Sequence, residues 1–215
     1  MTPFLVIYED QSILVINKPA GMLTSEAVDP PALGSGVARR GIMVHRLDRD
    51  TSGLLLIAKT PDAELELKRQ FKAREIDKIY RVVVDGVIKD DTGKIDVPIG
   101  RSSTDARRRV ASLKAGGKLR PSLTEYKVLE RFANNTYLEA YPKTGRTHQI
   151  RAHFKYLNHV VSGDKLYGSK FEGITRQALH AWSLGFTHPN SGRRLHLQAP
   201  LPEDLTTLLA SLRRS

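Results

Sequence analysis

Residues 44–60 read Val-His-Arg-Leu-Asp-Arg-Asp-Thr-Ser-Gly-Leu-Leu-Leu-Ile-Ala-Lys-Thr, a polar stretch that runs straight into an apolar one. Leu54 to Ala58 are five consecutive apolar residues, with Gly53 ahead and Thr60-Pro61 behind. A run of that length between turn residues predicts a strand buried on both faces. The polar half becomes a loop anchored by a rigid core element, which is where catalytic groups tend to sit. Within it one acid, Asp48, stands among basic and hydroxyl side chains.

Plainer readings of the segment exist. Asp48-x-Asp50-x-Ser52-Gly53 imitates the opening of a calcium-binding EF-hand loop, but the twelfth position, which should be a bidentate Glu, is Lys59, and a strand follows where a helix should. Taken alone, Asp48 could equally cap a turn or pair with Arg46 or Arg49 at the surface.

Outward from this stretch, strand-like and helical patterns alternate. Phe4 to Tyr8 and Ile13 to Ile16 predict a hairpin. Ile79 to Val84, Gly93 to Ile99, Thr124 to Arg131 and Tyr137 to Tyr141 are further strand candidates. Thr60-Pro61 is a helix start, with Thr as cap and Pro at the first helical position, and Ala63, Leu67 and Phe71 recur at helical spacing behind it. A closing helix over Pro202 to Arg214 places Leu205, Leu208, Leu209 and Leu212 on one stripe. Between Thr147 and Asn158 a helical wheel gathers Ile150, Phe154 and Leu157 on one face and His148, Arg151 and Lys155 on another, predicting a basic stripe. The expected fold is α+β: a largely antiparallel mixed sheet with helices packed on it, in one domain over 1–215.

Composition narrows the partners. With 34 Lys plus Arg against 23 Asp plus Glu, the net charge is +11, which points to a polyanion. More than half of that excess lies between Arg101 and Arg120, where Arg101, Arg107, Arg108, Arg109, Lys114, Lys118 and Arg120 meet one acid, Asp105. Strand candidates flank the run, so it is expected to project as a basic arm, with Arg107, Arg108 and Arg109 on a phosphate backbone. Hydrophobic residues make up 40%, and the longest apolar runs fall far short of the ~20 residues that span a bilayer. The first residues show no signal-like core. There are no cysteines, which excludes disulfides and thiolate metal sites and permits a reducing, cytoplasmic setting. The seven histidines form no H-E-x-x-H, and His148 and His153 are five apart rather than four, so no metal is expected. Gly34-Ser35-Gly36 and Gly116-Gly117-Lys118 lack the further glycines of nucleotide-binding loops, and Ser52 has no G-x-S-x-G elbow.

His45-Arg46-Leu47-Asp48 followed by Thr51-Ser52-Gly53 resembles the signature of the RluA-type family of RNA pseudouridine synthases, in which the Asp of H-R-L-D is catalytic. Asn17-Lys18-Pro19-Ala20-Gly21 resembles the family's N-K-P-x-G, Lys78-Ile79-Tyr80 its K-x-Y, Gly145 to Arg151 its G-R-x-H-Q-[IL]-R, and Gly163 to Gly168 its G-D-x-x-Y-G. Leu179-His180-Ala181 and Thr187-His188-Pro189 resemble its closing elements, and the matches keep family order from residue 5 to about 200. The resemblance implies an RNA-modifying isomerase with Asp48, Tyr80 and Arg151 as catalytic residues. Arg151 would pair with Asp48 and hold it ionised. Tyr80 would stack on the base. Among RNA-binding residues, Arg46 would fill the space left by a flipped uridine, and His45, Arg146 and His148 would lie along the RNA.

Pseudouridine formation breaks the N1–C1′ bond, turns the base, joins C5 to C1′ and removes the C5 proton, so no cofactor is needed. The carboxylate could attack C1′ or act as a base on the sugar. Two rivals stand beside this reading: a glycoside hydrolase using Asp48 and Asp50, since that reaction also occurs at an anomeric carbon, and a non-catalytic RNA-binding protein. Many family members carry an S4-type domain ahead of the catalytic one. Here the first strand starts almost at residue 1, so no such domain is expected, and a monomer acting on a compact rRNA or tRNA stem-loop is.

Overall fold

The computed structural model describes residues 4–28, 41–113 and 118–214. Gly34-Ser35-Gly36, Lys114 and Gly116-Gly117 lie outside the described residues. The chain forms two compact units, Met1–Lys78 with Ala181–Pro200, and Ile79–His180 with Leu201–Ser215. Each is built on antiparallel strands carrying helices, so the α+β expectation holds.

In the first unit β1 (Leu5–Glu9) and β2 (Ile13–Lys18) form the expected hairpin. Asp10 makes its turn, its carboxylate accepting the Ser12 and Ile13 amides at 2.8 and 2.9 Å. A short helix, α1 (Thr24–Val28), and a two-residue strand, β3 (Ile42–Met43), come before β4 (Ser52–Ala58). β4 runs antiparallel to β2, from Ile13 opposite Ala58 to Lys18 opposite Gly53. Leu54, Leu56 and Ala58 join a cluster with Ile13, Val15, Leu67 and Phe186, and the alternate residues Leu55 and Ile57 are equally inaccessible. The strand is therefore buried on both faces, as its unbroken apolar run requires. Behind it α2 (Pro61–Ala73) starts with the Thr60 hydroxyl accepting the Ala63 amide at 3.2 Å.

In the second unit the strand order is β5 (Asp77–Asp85), β10 (Asn135–Pro142), β9 (Leu123–Arg131) and β6 (Thr92–Asp96), antiparallel throughout. Alternation sorts its side chains. Val82, Val84, Leu138 and Ala140 share a core with Ile150 and Phe154 of α3 (Gln149–Tyr156). Val83 and Tyr137 face the other way, onto Leu205, Leu208, Leu209 and Leu212 of α4 (Glu203–Leu212). The strand expected over Gly93 to Ile99 is interrupted. Pro98 has no amide for a ladder, and the chain resumes as β7 (Ile99–Arg101), which pairs with β8 (Arg109–Ala111) in a separate ribbon. That ribbon is the root of the basic arm. The first unit is completed by β11 (Leu179–Thr187), next to β4, and by β12 (Arg194–Gln198), antiparallel to β11.

Two residues govern the junction of polar loop and β4. Gly53 has φ +113°, and a Cβ there would lie 2.3 Å from the Ala181 carbonyl oxygen. We expect Gly53→Ala to cost about 2 kcal/mol or more through strain and displacement of β11, read as a lower urea midpoint at unchanged m value. His45 accepts the Leu56 amide on Nε2 at 2.9 Å and stacks on Phe71, which requires a neutral ring. Burial, aided by the charge of Lys78, holds its pKa down to about 3. The unfolded chain then binds the extra proton, so His45 adds stability above its ordinary pKa of about 6.5 and loses it progressively towards pH 3. Urea midpoints measured from about pH 7 to about pH 4 should fall less steeply for His45→Gln than for the parent chain.

Candidate active site

The loop of Asp48 is held through its neighbours. Leu47 is clamped at both backbone atoms by one hydroxyl: Thr24 Oγ1 donates to the Leu47 carbonyl at 3.0 Å and accepts its amide at 3.1 Å. On the far side the Arg49 carbonyl accepts the Gly21 amide at 3.1 Å and the Lys18 ammonium at 3.0 Å. Lys18 is fully inaccessible and donates also to the carbonyls of Pro19 at 2.7 Å and Met22 at 2.9 Å. Three carbonyl oxygens match the three donors of an ammonium, which is what allows the charge to be buried. Arg49 Nε returns a bond to the Gly21 carbonyl at 2.9 Å, and the Thr51 amide closes the turn on the Asp48 carbonyl at 3.1 Å.

With His45, Leu47 and Arg49 anchored, the two residues between them are the ones presented. Arg46 is exposed and Asp48 half-buried. The accepting nitrogen of His45 is used by β4, eleven residues on.

In the second unit the expected basic stripe on α3 does not form. Arg151 is 5% exposed and pairs bidentately with Asp164, Nε at 2.6 Å and Nη2 at 2.9 Å. Helical periodicity cannot separate a solvated stripe from a buried ion pair whose acid lies thirteen residues away. His148 sits at φ +54° as the N-cap residue and brings Nδ1 within 3.2 Å of the Tyr167 hydroxyl. Arg146 is half-buried, its Nε donating to the Pro121 carbonyl at 3.1 Å. Tyr80 lies on β5 opposite Ala140, half-buried against the core that includes Phe154.

A directed chain of hydrogen bonds fixes the start of α3. The Val97 carbonyl can only accept, so His153 donates to it from Nε2 at 2.9 Å and accepts the Thr124 hydroxyl on Nδ1 at 2.9 Å. Thr124 Oγ1 accepts Gln149 Nε2 at 2.9 Å, and Gln149 Oε1 accepts the Thr144 hydroxyl at 2.7 Å and the Arg146 amide at 3.0 Å. Burial lowers the pKa of His153, which suits the neutral ring the chain requires.

The three arginines of the arm are not equivalent. Arg107 projects outward, bound to Asp105, whose carboxyl is held down at about 2 by hydrogen bonds from Arg107. Arg108 lies over the Tyr167 ring with its guanidinium carbon 5.6 Å from the centroid. Arg109 folds back through Nη1 onto the carbonyls of Ala106 and Arg108. The expectation of three projecting cations is thus met by Arg107 alone, because Arg108 and Arg109 spend part of their donors and surface on the turn and on Tyr167. Lys18, Thr24, Asp164 and Tyr167 had no role in the sequence reading. All but Thr24 lie in its quoted motifs, but their partners are set by tertiary contacts. Among the described residues no group of three His, Asp or Glu is placed to hold a metal ion.

The comparison with known proteins falls on the same segments. The sequence pattern of the RNA pseudouridylate synthase family matches residues 12–156. Ribosomal large subunit pseudouridine synthase D of Neisseria meningitidis serogroup B is 42% identical over 97% of this chain, which spans 61% of that protein's length. The uncharacterized RNA pseudouridine synthase YlyB of Bacillus subtilis is 41% identical over 98% of this chain and 73% of its own. Among solved structures, human RNA pseudouridylate synthase domain containing 1 superposes with a TM-score of 0.78 at 27% identity, covering 100% of this chain and 96% of the other. The family pattern matches residues 12–156, the relatives and the fold cover nearly the whole chain, and the chain belongs to the RNA pseudouridylate synthase family.

Proposed function

We propose that this chain isomerises uridine to pseudouridine in structured RNA, with Asp48 as the reacting carboxylate. The observation that carries the reading is the frame around Asp48, in which Lys18, Thr24, Gly21 and His45 fix the loop by its main chain and its odd-numbered neighbours. A nucleophile or base gains most from such orientation, because reacting groups already in place need lose little further freedom at the transition state. Arg46, exposed one residue beyond the anchored His45, is suited to enter the stack that a flipped uridine vacates. Tyr80 and Arg151 enter on the sequence resemblance, Tyr80 as the ring against the base and Arg151 as the cation that orients the carboxylate. The grip of Asp164 supports the second role, since a guanidinium held at two nitrogens has a set direction.

The reaction is an internal exchange of a C–N for a C–C glycosidic bond and needs no redox cofactor or metal. The relatives named as ribosomal large subunit pseudouridine synthases make large-subunit rRNA the first substrate to try, with tRNA the alternative. Arg107, Arg108, Arg109, Arg146 and His148 are proposed on the RNA side of the second unit, with Arg107 meeting phosphate most directly. No described helix is long and apolar enough to cross a membrane. We take the enzyme to act as a cytoplasmic monomer, testable by sedimentation with and without RNA.

Asp48→Asn should abolish pseudouridine formation in a long single-turnover assay while RNA affinity stays within about tenfold, or ~1.4 kcal/mol, because the amide keeps the shape but is neither nucleophile nor base. Turnover above a few per cent of the parent would remove Asp48 from its role, and release of free base or sugar would favour the hydrolase. Arg151→Met must be read with stability in view. It strands the buried Asp164 carboxylate and should destabilise by about 3 kcal/mol. Arg151→Lys leaves a cation beside Asp164, so it should fold yet lose most turnover, since a point charge cannot replace the bidentate fork. Normal turnover by folded Arg151→Lys would exclude an orienting role.

A further inference from the structure

Tyr167 is 2% exposed at the end of a 3₁₀ turn, Lys165–Tyr167, and three separate parts of it are engaged. Its hydroxyl accepts the Arg109 amide at 3.0 Å, lies 3.0 Å from the Arg109 carbonyl, and is 3.2 Å from His148 Nδ1. A phenol has one proton and two lone pairs. All three contacts are satisfied when it donates to the Arg109 carbonyl and accepts both the Arg109 amide and a proton on His148 Nδ1. Its ring has two guanidinium carbons near the centroid, Arg151 at 5.0 Å and Arg108 at 5.6 Å. Its amide donates to Asp164 Oδ1 at 3.3 Å, the same oxygen that receives Arg151 Nη2.

We propose that Tyr167 is a positioning residue that couples the basic arm to Arg151, the hydroxyl seating the arm and the ring seating the guanidinium. This rests on the reading of the chain as an RNA-modifying enzyme, and deepens it by linking RNA capture to the cation assigned to Asp48. The hydroxyl meets the arm through the backbone of Arg109, and the guanidinium of Arg108 lies over the ring, so of the three arm arginines only Arg108 lends its charge to the link. An arm held on RNA holds Arg109, hence the phenol, hence the ring under Arg151.

Two variants separate hydroxyl from ring. Tyr167→Phe keeps the ring, and Tyr167→Leu removes both. The measurements are KM, the single-turnover rate at saturating RNA, amide hydrogen exchange over 105–111, and the Nε–H resonance of Arg151. Tyr167→Phe is expected to speed exchange of the Arg109 amide and raise KM about fivefold, the cost of one hydrogen bond. Most of its defect should lie in KM, and the Arg151 resonance should stay put. Tyr167→Leu is expected to add a loss of about tenfold in the saturating rate and to move the Arg151 resonance. Unchanged Arg109 exchange in Tyr167→Phe overturns the proposal, as does an equal fall of kcat and rise of KM in both variants in step with melting temperature, the mark of a structural role. If the parent chain makes no pseudouridine, the functional reading fails, while exchange and the Arg151 signal still decide whether Tyr167 joins arm to arginine.

Discussion

The buried ammonium of Lys18 is the interaction on which the arrangement around Asp48 turns. Its donors close on three carbonyls, two from the loop after β2 and one from Arg49, and so tie the end of one strand to the turn that precedes another. A charge withdrawn from water needs all of these partners, so the turn cannot drift without leaving the ammonium unsatisfied. Thr24 and Gly21 add bonds to the same loop from the same neighbourhood. The carboxylate one residue away thus has a fixed starting point in the backbone that carries it.

The second unit solves a related problem with side chains rather than backbone carbonyls. Gln149 and His153 stand one turn apart on α3, and each hydrogen bond in their chain runs in one direction, from Gln149 through Thr124 to His153 and Val97. A network in which every proton is spoken for has one low-energy arrangement, and it specifies the entry into the helix that carries Arg151. The Arg151–Asp164 pair sits at the end of this order. Its desolvation is offset by two short bonds and by the Tyr167 ring.

How far this was legible from sequence depends on how far apart the partners lie along the chain. β4, the hairpin, the Thr60 cap and the leucine stripe of α4 were all readable, because each pattern is local: a run, an alternation, a cap and its proline, a 3.6-residue period. Asp48 was singled out by its motif, and the tertiary bonds that hold its loop were not. The bond from the Leu56 amide to His45 was not legible, because a histidine in a basic motif gives no sign that one nitrogen is pledged to a strand. Arg151 fell on the basic stripe of a helical wheel, which knows nothing of Asp164. The break at Pro98 stood in plain view, but its consequence, a separate ribbon at the base of the arm, depended on which strands pair beyond it.

That ribbon has a bearing on which parts of the chain can vary. Val97 on the way in and Leu123 and Thr124 on the way out are both bonded to α3, through His153 and Gln149. The anchors lie outside the stretch from Ser112 to Lys118, so a substitution or insertion there touches none of these bonds to α3. Lengthening a connection between fixed ends adds little closure entropy, about 0.6 kcal/mol for each doubling. A transplanted segment between those moorings would leave α3, and Arg151 with it, where they are.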